Sequence, residues 1–358
     1  FMVWQVFPFH YGNYADTDDL IERAAEMMKE MVVLLYNHPS ILMWSVFKEP
    51  YVAAAGNHYG RLCDVMRDAG RQIDPLRWIQ KGDYEEGVQN IMTGWGEKAP
   101  IDFRRRVDHA KPQIVEYGTT HVAPLETAKK ILKPEEQWPP NWNRWYYLNL
   151  SPRWVLSQGH NPDKMKGLEE LVEASQTWSA REIKESIEYI RQRRFSPFTS
   201  MFLYFWNDPW PCLGGSGILD YYRRKYKAYD VYPYVYTPVM ASIEWVKEPF
   251  IVGHEKVYEP GQPLMTNIWV TNDEENAYQE ARLSWQVKAP NGEVLKQGGG
   301  TISVPADSSM VVETQTWQIP KGANGQYRKE VQLATAAGKE LSRNYFEFRV
   351  VSAAIEKK

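Results

Sequence analysis

With 358 residues the chain exceeds what one hydrophobic core usually serves, so two domains are the first expectation. Its 43% hydrophobic and 24% charged residues fall in the range of a soluble globular protein. A net charge of −3 gives no electrostatic case for nucleic acid or an anionic membrane, and no apolar run reaches the ~18 residues that span a bilayer.

The elements follow in chain order. Phe1–Phe7 reads as a strand already under way, without a basic region or cleavage pattern, so the chain is expected to begin inside a domain. Asp16-Thr17-Asp18-Asp19 offers caps to a helix over Leu20–Leu35, and Ile41–Phe47 is the next strand. A helix over Asn57–Ile73 stops at Asp74-Pro75. Short strands are expected at Trp78–Lys81, Asn90–Thr93 and Gln113–Val115. Helices are expected at Pro124–Leu132, Lys164–Glu173 and Ser179–Arg194, and a last aromatic strand at Thr199–Trp206. Such alternation argues for parallel strands with helical crossovers. The basic runs Arg104-Arg105-Arg106 and Arg191-Gln192-Arg193-Arg194 lie among acids and read as solvated faces.

Near Tyr232–Pro238 the character changes. Beyond it come short β-type runs at Ala241–Val246, Leu264–Thr271, Ala281–Val287, Met310–Trp317, Arg328–Ala334 and Tyr345–Val351. Turn clusters such as Pro290-Asn291-Gly292 separate them, the pattern of a small immunoglobulin-like sandwich. The division is set at residues 1–234 and 235–358. Cys63 and Cys212 have no metal-knuckle or disulfide-framework spacing; two free thiols are expected, one bridge being the alternative. No histidine spacing suits a metal and no Gly-rich loop suits a phosphate, so no cofactor is expected. The compartment stays open, secreted or periplasmic being the nearer reading.

Two apolar runs finish on a carboxylate: Ile41–Phe47 leads to Lys48-Glu49-Pro50, and Ile114-Val115 leads to Glu116. In a barrel of parallel strands the C-terminal strand ends converge at the active face. Two carboxylates there are what glycoside hydrolysis needs, one to protonate the leaving oxygen and one to attack or activate water. An ordinary exposed acid at a strand end is the plainer alternative for each residue alone.

The flanking residues carry a resemblance. Asn37-His38-Pro39-Ser40-Ile41, Trp44-Ser45 and Glu49 resemble the acid/base strand of glycoside hydrolase family 2, and Phe1-Met2-Val3-Trp4-Gln5 resembles the preceding strand of its β-mannosidase branch. Val115-Glu116-Tyr117-Gly118 with Leu125-Glu126-Thr127 is similar to that branch's nucleophile strand and the helix after it. Arg194, Leu203-Tyr204, Asn207-Asp208-Pro209-Trp210-Pro211 and Asp220-Tyr221-Tyr222 resemble its last strand and loop.

The resemblance implies a partial TIM (β/α)8 barrel, strands 3–8, followed by the immunoglobulin-like β-sandwich. It implies a retaining exo-β-glycosidase most like a β-mannosidase, with Glu49 as acid/base and Glu116 as nucleophile, their carboxyls about 5–5.5 Å apart. Another activity of the family (β-galactosidase, β-glucuronidase, β-glucosaminidase) and a non-hydrolytic carbohydrate-binding protein are the alternatives. Trp206, Trp210, Trp95 and Trp4 are candidates for the sugar platform, and Asn207, Asp208, Tyr117 and His10 for polar contacts. Lys48 stands where the family has an asparagine that bonds the sugar 2-hydroxyl. It either points away as a structural residue, binds an altered or anionic sugar, or marks a site that has lost efficient catalysis. The first two barrel strands are missing from the pattern, so an N-terminal remainder or a second polypeptide is expected to complete the barrel around a carbohydrate substrate. The chain by itself is expected to be poorly folded or inactive.

Overall fold

The computed structural model describes residues 2–10, 14, 17–49, 59–82, 88–93, 111–246, 250–252 and 255–352, with backbone alone at 88–93, 250–252 and 255. Contacts divide the chain into two compact units. The first is built from Phe1–Ile91, Lys111–Tyr117 and Thr199–Phe202; the second is built from Met92–Ala110, Gly118–Phe198 and Leu203–Lys358.

In the first unit β1 (Val3–Val6), α1 (Asp18–Leu35), β2 (Ile41–Ser45), α2 (Gly60–Ile73) and β3 (Trp78–Gln80) form two consecutive crossovers. The strands pair in parallel in the order β1–β2–β3, with Gln5 opposite Trp44 and Ser45 opposite Gln80. Helix α1 starts at Asp18 because Thr17 is extended and its hydroxyl accepts the Leu20 N–H at 3.4 Å. Its buried stripe Ile21, Ala24, Ala25, Met28 and Val32 meets Leu62, Cys63 and Met66 of α2 over the strands. Gly70 of α2 permits this approach: a Cβ there would stand 2.9 Å from Ile79 Cδ1. Trp44 is fully buried and donates from Nε1 to Asp74 Oδ2 at 3.0 Å, while Asp74 Oδ1 accepts the Leu76 and Arg77 amides. The Asp-Pro turn thus anchors the strand that delivers Lys48 and Glu49. Both cysteines are free and buried, and burial pushes the Cys63 thiol up to about 12.

Strands β4 (Val88–Thr93), β5 (Gln113–Thr119) and β7 (Ser200–Leu203) form a second sheet in the order β4–β5–β7. A short ribbon pairs β6 (His121–Val122) with β8 (Gly214–Gly215). After β6 come α3 (Leu125–Ile131), three helices of four to six residues at α4 (Pro134–Gln137), α5 (Trp142–Tyr147) and α6 (Pro152–Ser157), and then α7 (Leu168–Gln192). The two helices expected over Lys164–Glu173 and Ser179–Arg194 are one helix of 25 residues. The polar stretch Ser175-Gln176 between them weakens the helical signal in sequence. In the fold these side chains are buried and bonded, Ser175 accepting from Val122 N and donating to Gln158, and Gln176 donating to Val122 O.

His121 belongs to the same interior. It is 1% exposed, Nδ1 lies 2.7 Å from Ser179 Oγ, and Nε2 lies 3.0 Å from Gly217 O. The neutral ring with its proton on Nε2 satisfies both contacts. Burial, only partly offset by the Gly217 bond, holds its pKa down at about 3.

The sandwich starts at β9 (Val239–Trp245) and continues with β10 (Phe250–Val252), β11 (Glu255–Tyr258), β12 (Pro263–Asn272), β13 (Tyr278–Lys288), β14 (Val294–Val304), β15 (Ser308–Gln318), β16 (Gly325–Ala334) and β17 (Glu340–Val350). Its sheets run β10–β11–β17–β16–β13–β14 and β15–β12–β9 around Ile268, Val270, Leu283, Val287, Leu333 and Phe348. All six expected runs are strands. Strand β14 is not among the expected runs; it carries Gly298-Gly299-Gly300 and pairs along β13. A Cβ at Gly298 would meet the Trp285 ring at 2.5 Å, so glycine lets the strand lie over that indole.

Helix α7 and the sandwich, both in the second unit, are joined by the run that reads as a solvated face. That reading is corrected for Arg191-Gln192-Arg193-Arg194. Arg191 is 7% exposed and donates to Val235 O at 2.6 Å and Asp273 Oδ2 at 2.6 Å. Gln192 donates to Ser242, Arg193 to Glu244, and Arg194 to Asn272 O. The run Arg104-Arg105-Arg106 lies outside the described residues.

Two measurements check these packing assignments. Arg191→Ala leaves the buried Val235 carbonyl without this donor and half-exposed Asp273 with Arg194 alone, so chemical denaturation should show a loss of about 1–3 kcal/mol. For His121 the unfolded chain binds the proton first. The stabilisation is therefore complete above the ordinary value of 6.5 and is lost as pH falls towards about 3. Urea midpoints between pH 7 and 4 should show a slope approaching about 1.4 kcal/mol per pH unit that His121→Gln lacks.

Candidate functional site

The end of β2 builds the site. Lys48 donates its backbone N–H to Phe9 O at 2.8 Å, which pairs it with His10 beyond the end of β1. Glu49 follows with φ at 54°, the left-handed region that non-glycine residues seldom occupy. Neighbours on an extended strand point to opposite faces. The turn at Glu49 relaxes that alternation, and both side chains reach one place. Glu116 of β5 arrives between Ile114 and Tyr117, which are 0% and 1% exposed.

Lys48 Nζ lies 2.7 Å from Glu116 Oε1 and 3.9 Å from Glu49 Oε1. His10 Nε2 lies 3.8 Å from Glu49 Oε2. The side chains of Lys48, Glu49 and Glu116 are 22%, 18% and 12% exposed, low enough for their charges to act with little screening. Lys48 therefore points inward, and the reading of it as a residue turned away is set aside. Its nearer partner is Glu116, 68 positions along the chain, rather than the adjacent Glu49. Only the fold brings Glu116 to Lys48; no local pattern signals it.

The other candidates separate by unit. In the first, the half-buried Trp4 meets Phe202 edge-on at 5.4 Å, and its Nε1 is buried without a hydrogen-bond partner among the described residues. Tyr117 packs inward from β5 as part of the core. Trp95 lies outside the described residues. In the second unit Trp206 is 67% exposed, free enough to offer a ring face. Asn207 donates to Asp208 O at 3.0 Å.

Asp208 is expected to bind sugar, and its environment corrects that expectation. It is 1% exposed, Oδ1 accepts the Ser216 and Gly217 amides at 3.0 and 2.9 Å, and Oδ2 accepts the Tyr226 hydroxyl at 2.6 Å. Those donors commit the carboxylate to holding the Gly214–Gly217 loop. Burial raises its pKa, against the lowering effect of these bonds. Among the described residues no cluster of three His, Cys, Asp or Glu side chains is placed to hold a metal, and no helix is long and apolar enough to cross a membrane.

Comparison with known proteins sets this geometry in context. Residues 2–134 match the family described as glycosyl hydrolases family 2, TIM barrel domain, and residues 266–350 match the mannosidase Ig/CBM-like domain. A β-glucuronidase of Bacteroides fragilis is 25% identical over 171 residues, covering 41% of this chain and 24% of that protein. Among solved structures, the β-D-mannosidase from Dictyoglomus thermophilum superimposes with a TM-score of 0.77 at 18% identity, over 97% of this chain and 43% of that one. The exo-chitosanase of Amycolatopsis orientalis gives 0.69 at 15% identity, over 93% of this chain and 39% of that one. The chain thus spans about a quarter of the curated relative and under half of these solved chains. At such identities the structural likeness speaks for the fold. Residues 2–134 thus carry the match to the TIM-barrel domain of glycosyl hydrolases family 2, and residues 266–350 the match to the mannosidase Ig/CBM-like domain, in a fold shared with the solved β-D-mannosidase.

Proposed function

We propose that the chain carries the catalytic pair of a retaining exo-β-glycosidase most like a β-mannosidase, with Glu49 as general acid/base and Glu116 as nucleophile. The observation that carries the reading is the convergence of both carboxylates on one ammonium at the ends of β2 and β5. Glu116, whose Oε1 lies 2.7 Å from Lys48 Nζ, is assigned the attack on the anomeric carbon. Glu49, 3.9 Å from the same ammonium, is assigned the proton transfer to the leaving oxygen. The mannosidase-type sandwich supports the sugar class named first.

A second reading within the family, an acidic sugar such as a β-glucuronide, is favoured by the ammonium inside the site and by the β-glucuronidase relative. Trp206 and Trp4 are proposed as sugar-stacking faces, with Asn207 and His10 as polar contacts. The edge of the first sheet bears on partners. Strand β1 is terminal in its sheet, with Met2 at 77% and Leu42 of β2 at 57% exposed, beside Val3 and Val6. An apolar parallel edge of this kind calls for cover, and we propose that a further polypeptide segment supplies it.

A panel of aryl β-glycosides, neutral and uronic, tests the reading in wild type and Glu116→Gln. Turnover with retained anomeric configuration is expected for one sugar. In Glu116→Gln it should fall by about 10⁴-fold or more while binding persists. A binding protein without catalysis would show no turnover in either form.

A further inference from the structure

The ammonium at this site does more than the assigned roles require. In a two-step displacement one negative charge crosses the gap and returns. First an Oε lone pair of Glu116 bonds to the anomeric carbon, and the glycosidic C–O bond breaks. Its electron pair goes to the leaving oxygen, which takes the proton from Glu49. Glu116 is then a neutral ester and Glu49 a carboxylate. Next a water oxygen bonds to the anomeric carbon, the ester C–O pair returns to Glu116, and the water proton goes to Glu49.

We propose that Lys48 is a positioning residue that acts as counter-ion to the two carboxylates in turn, following the charge from Glu116 to Glu49 and back. The proposal rests on the retaining reading above. At 2.7 Å from one carboxylate and 3.9 Å from the other, Nζ is close to the charge wherever it resides. The four-carbon stem makes the short swing between them easy, whereas its base is fixed by the backbone bond to Phe9 O. That bond belongs to the main chain, so the strand link survives loss of the side chain. The left-handed turn at Glu49 is the other half of the device, since it lets adjacent residues address one gap.

Lys48→Met, Lys48→Gln, Lys48→Arg and Lys48→Ala, made in the intact enzyme, test the proposal with a dinitrophenyl β-glycoside of the preferred sugar. With so good a leaving group, kcat/KM reports attack by Glu116 and kcat reports hydrolysis of the glycosyl-enzyme. Lys48→Met should lose about 100-fold in both, as for removal of a preorganised charge-stabilising group. Lys48→Arg should keep most activity, and Lys48→Ala should recover with propylammonium but not with n-propanol. Lys48→Gln carries the comparison should Lys48→Met fail to melt cooperatively.

A loss confined to kcat/KM overturns the proposal, because Lys48 then serves Glu116 alone. Equal recovery by n-propanol also overturns it, because filling the cavity then suffices. Glu116→Gln measured alongside separates two failures. Turnover surviving there defeats the nucleophile assignment and this proposal together. Its loss beside an undiminished Lys48→Met defeats this proposal alone.

Discussion

One ammonium shared by two carboxylates is the constraint around which the ends of β2 and β5 are organised. Two acids brought together at low exposure repel, and such a pair persists only with a proton or a cation between its members. Lys48 is that cation in the resting structure, bonded to Glu116 and within Coulomb reach of Glu49. Its cost is conformational. Glu49 has to adopt a left-handed backbone so that consecutive side chains meet in one gap.

The surrounding architecture over-determines that geometry. Beneath the Lys48-Glu49 turn lies an aromatic cluster in which Phe9 meets Phe47 at 5.7 Å and Phe47 stacks on Tyr59 at 5.2 Å. Trp44 fixes the middle of β2 through Asp74, and Asp74 in turn caps the Asp-Pro turn that leads to β3. Rigid apolar packing below a polar rim keeps a charged trio in register, which is how a strained residue is retained. In the second unit the buried Arg191 of α7 and Arg193 just past its end perform an analogous service, tying the long helix to the sandwich through Asp273 and Glu244.

Much of the architecture was legible in the amino-acid sequence. The capped start of α1 and the Asp74-Pro75 stop follow from local chemistry. The six sandwich runs are set by alternation and turn residues. The carboxylate-ended strands were readable because a charge closing an apolar run is a local signal. What escaped depends on tertiary contacts. The polar face of α7 looks like a break until Val122 and Gln158 are seen bonding Ser175 and Gln176. Strand β14 was not among the expected runs, and its Gly298 makes sense only with the Trp285 ring against it. Asp208 looks exposed beside Pro209, yet the Gly214–Gly217 loop folds over it. Lys48 was legible as an intruder in its motif, but its preference for Glu116 over its own neighbour was not.

The most direct measurement is covalent. A 2-deoxy-2-fluoro β-glycoside with an activated leaving group slows both steps and leaves the sugar on the nucleophile, where peptide mass spectrometry locates it. The account predicts a single glycosylated peptide carrying the sugar on Glu116. A sugar found on any other carboxylate, or an active enzyme that turns over this reagent without becoming labelled, would contradict it.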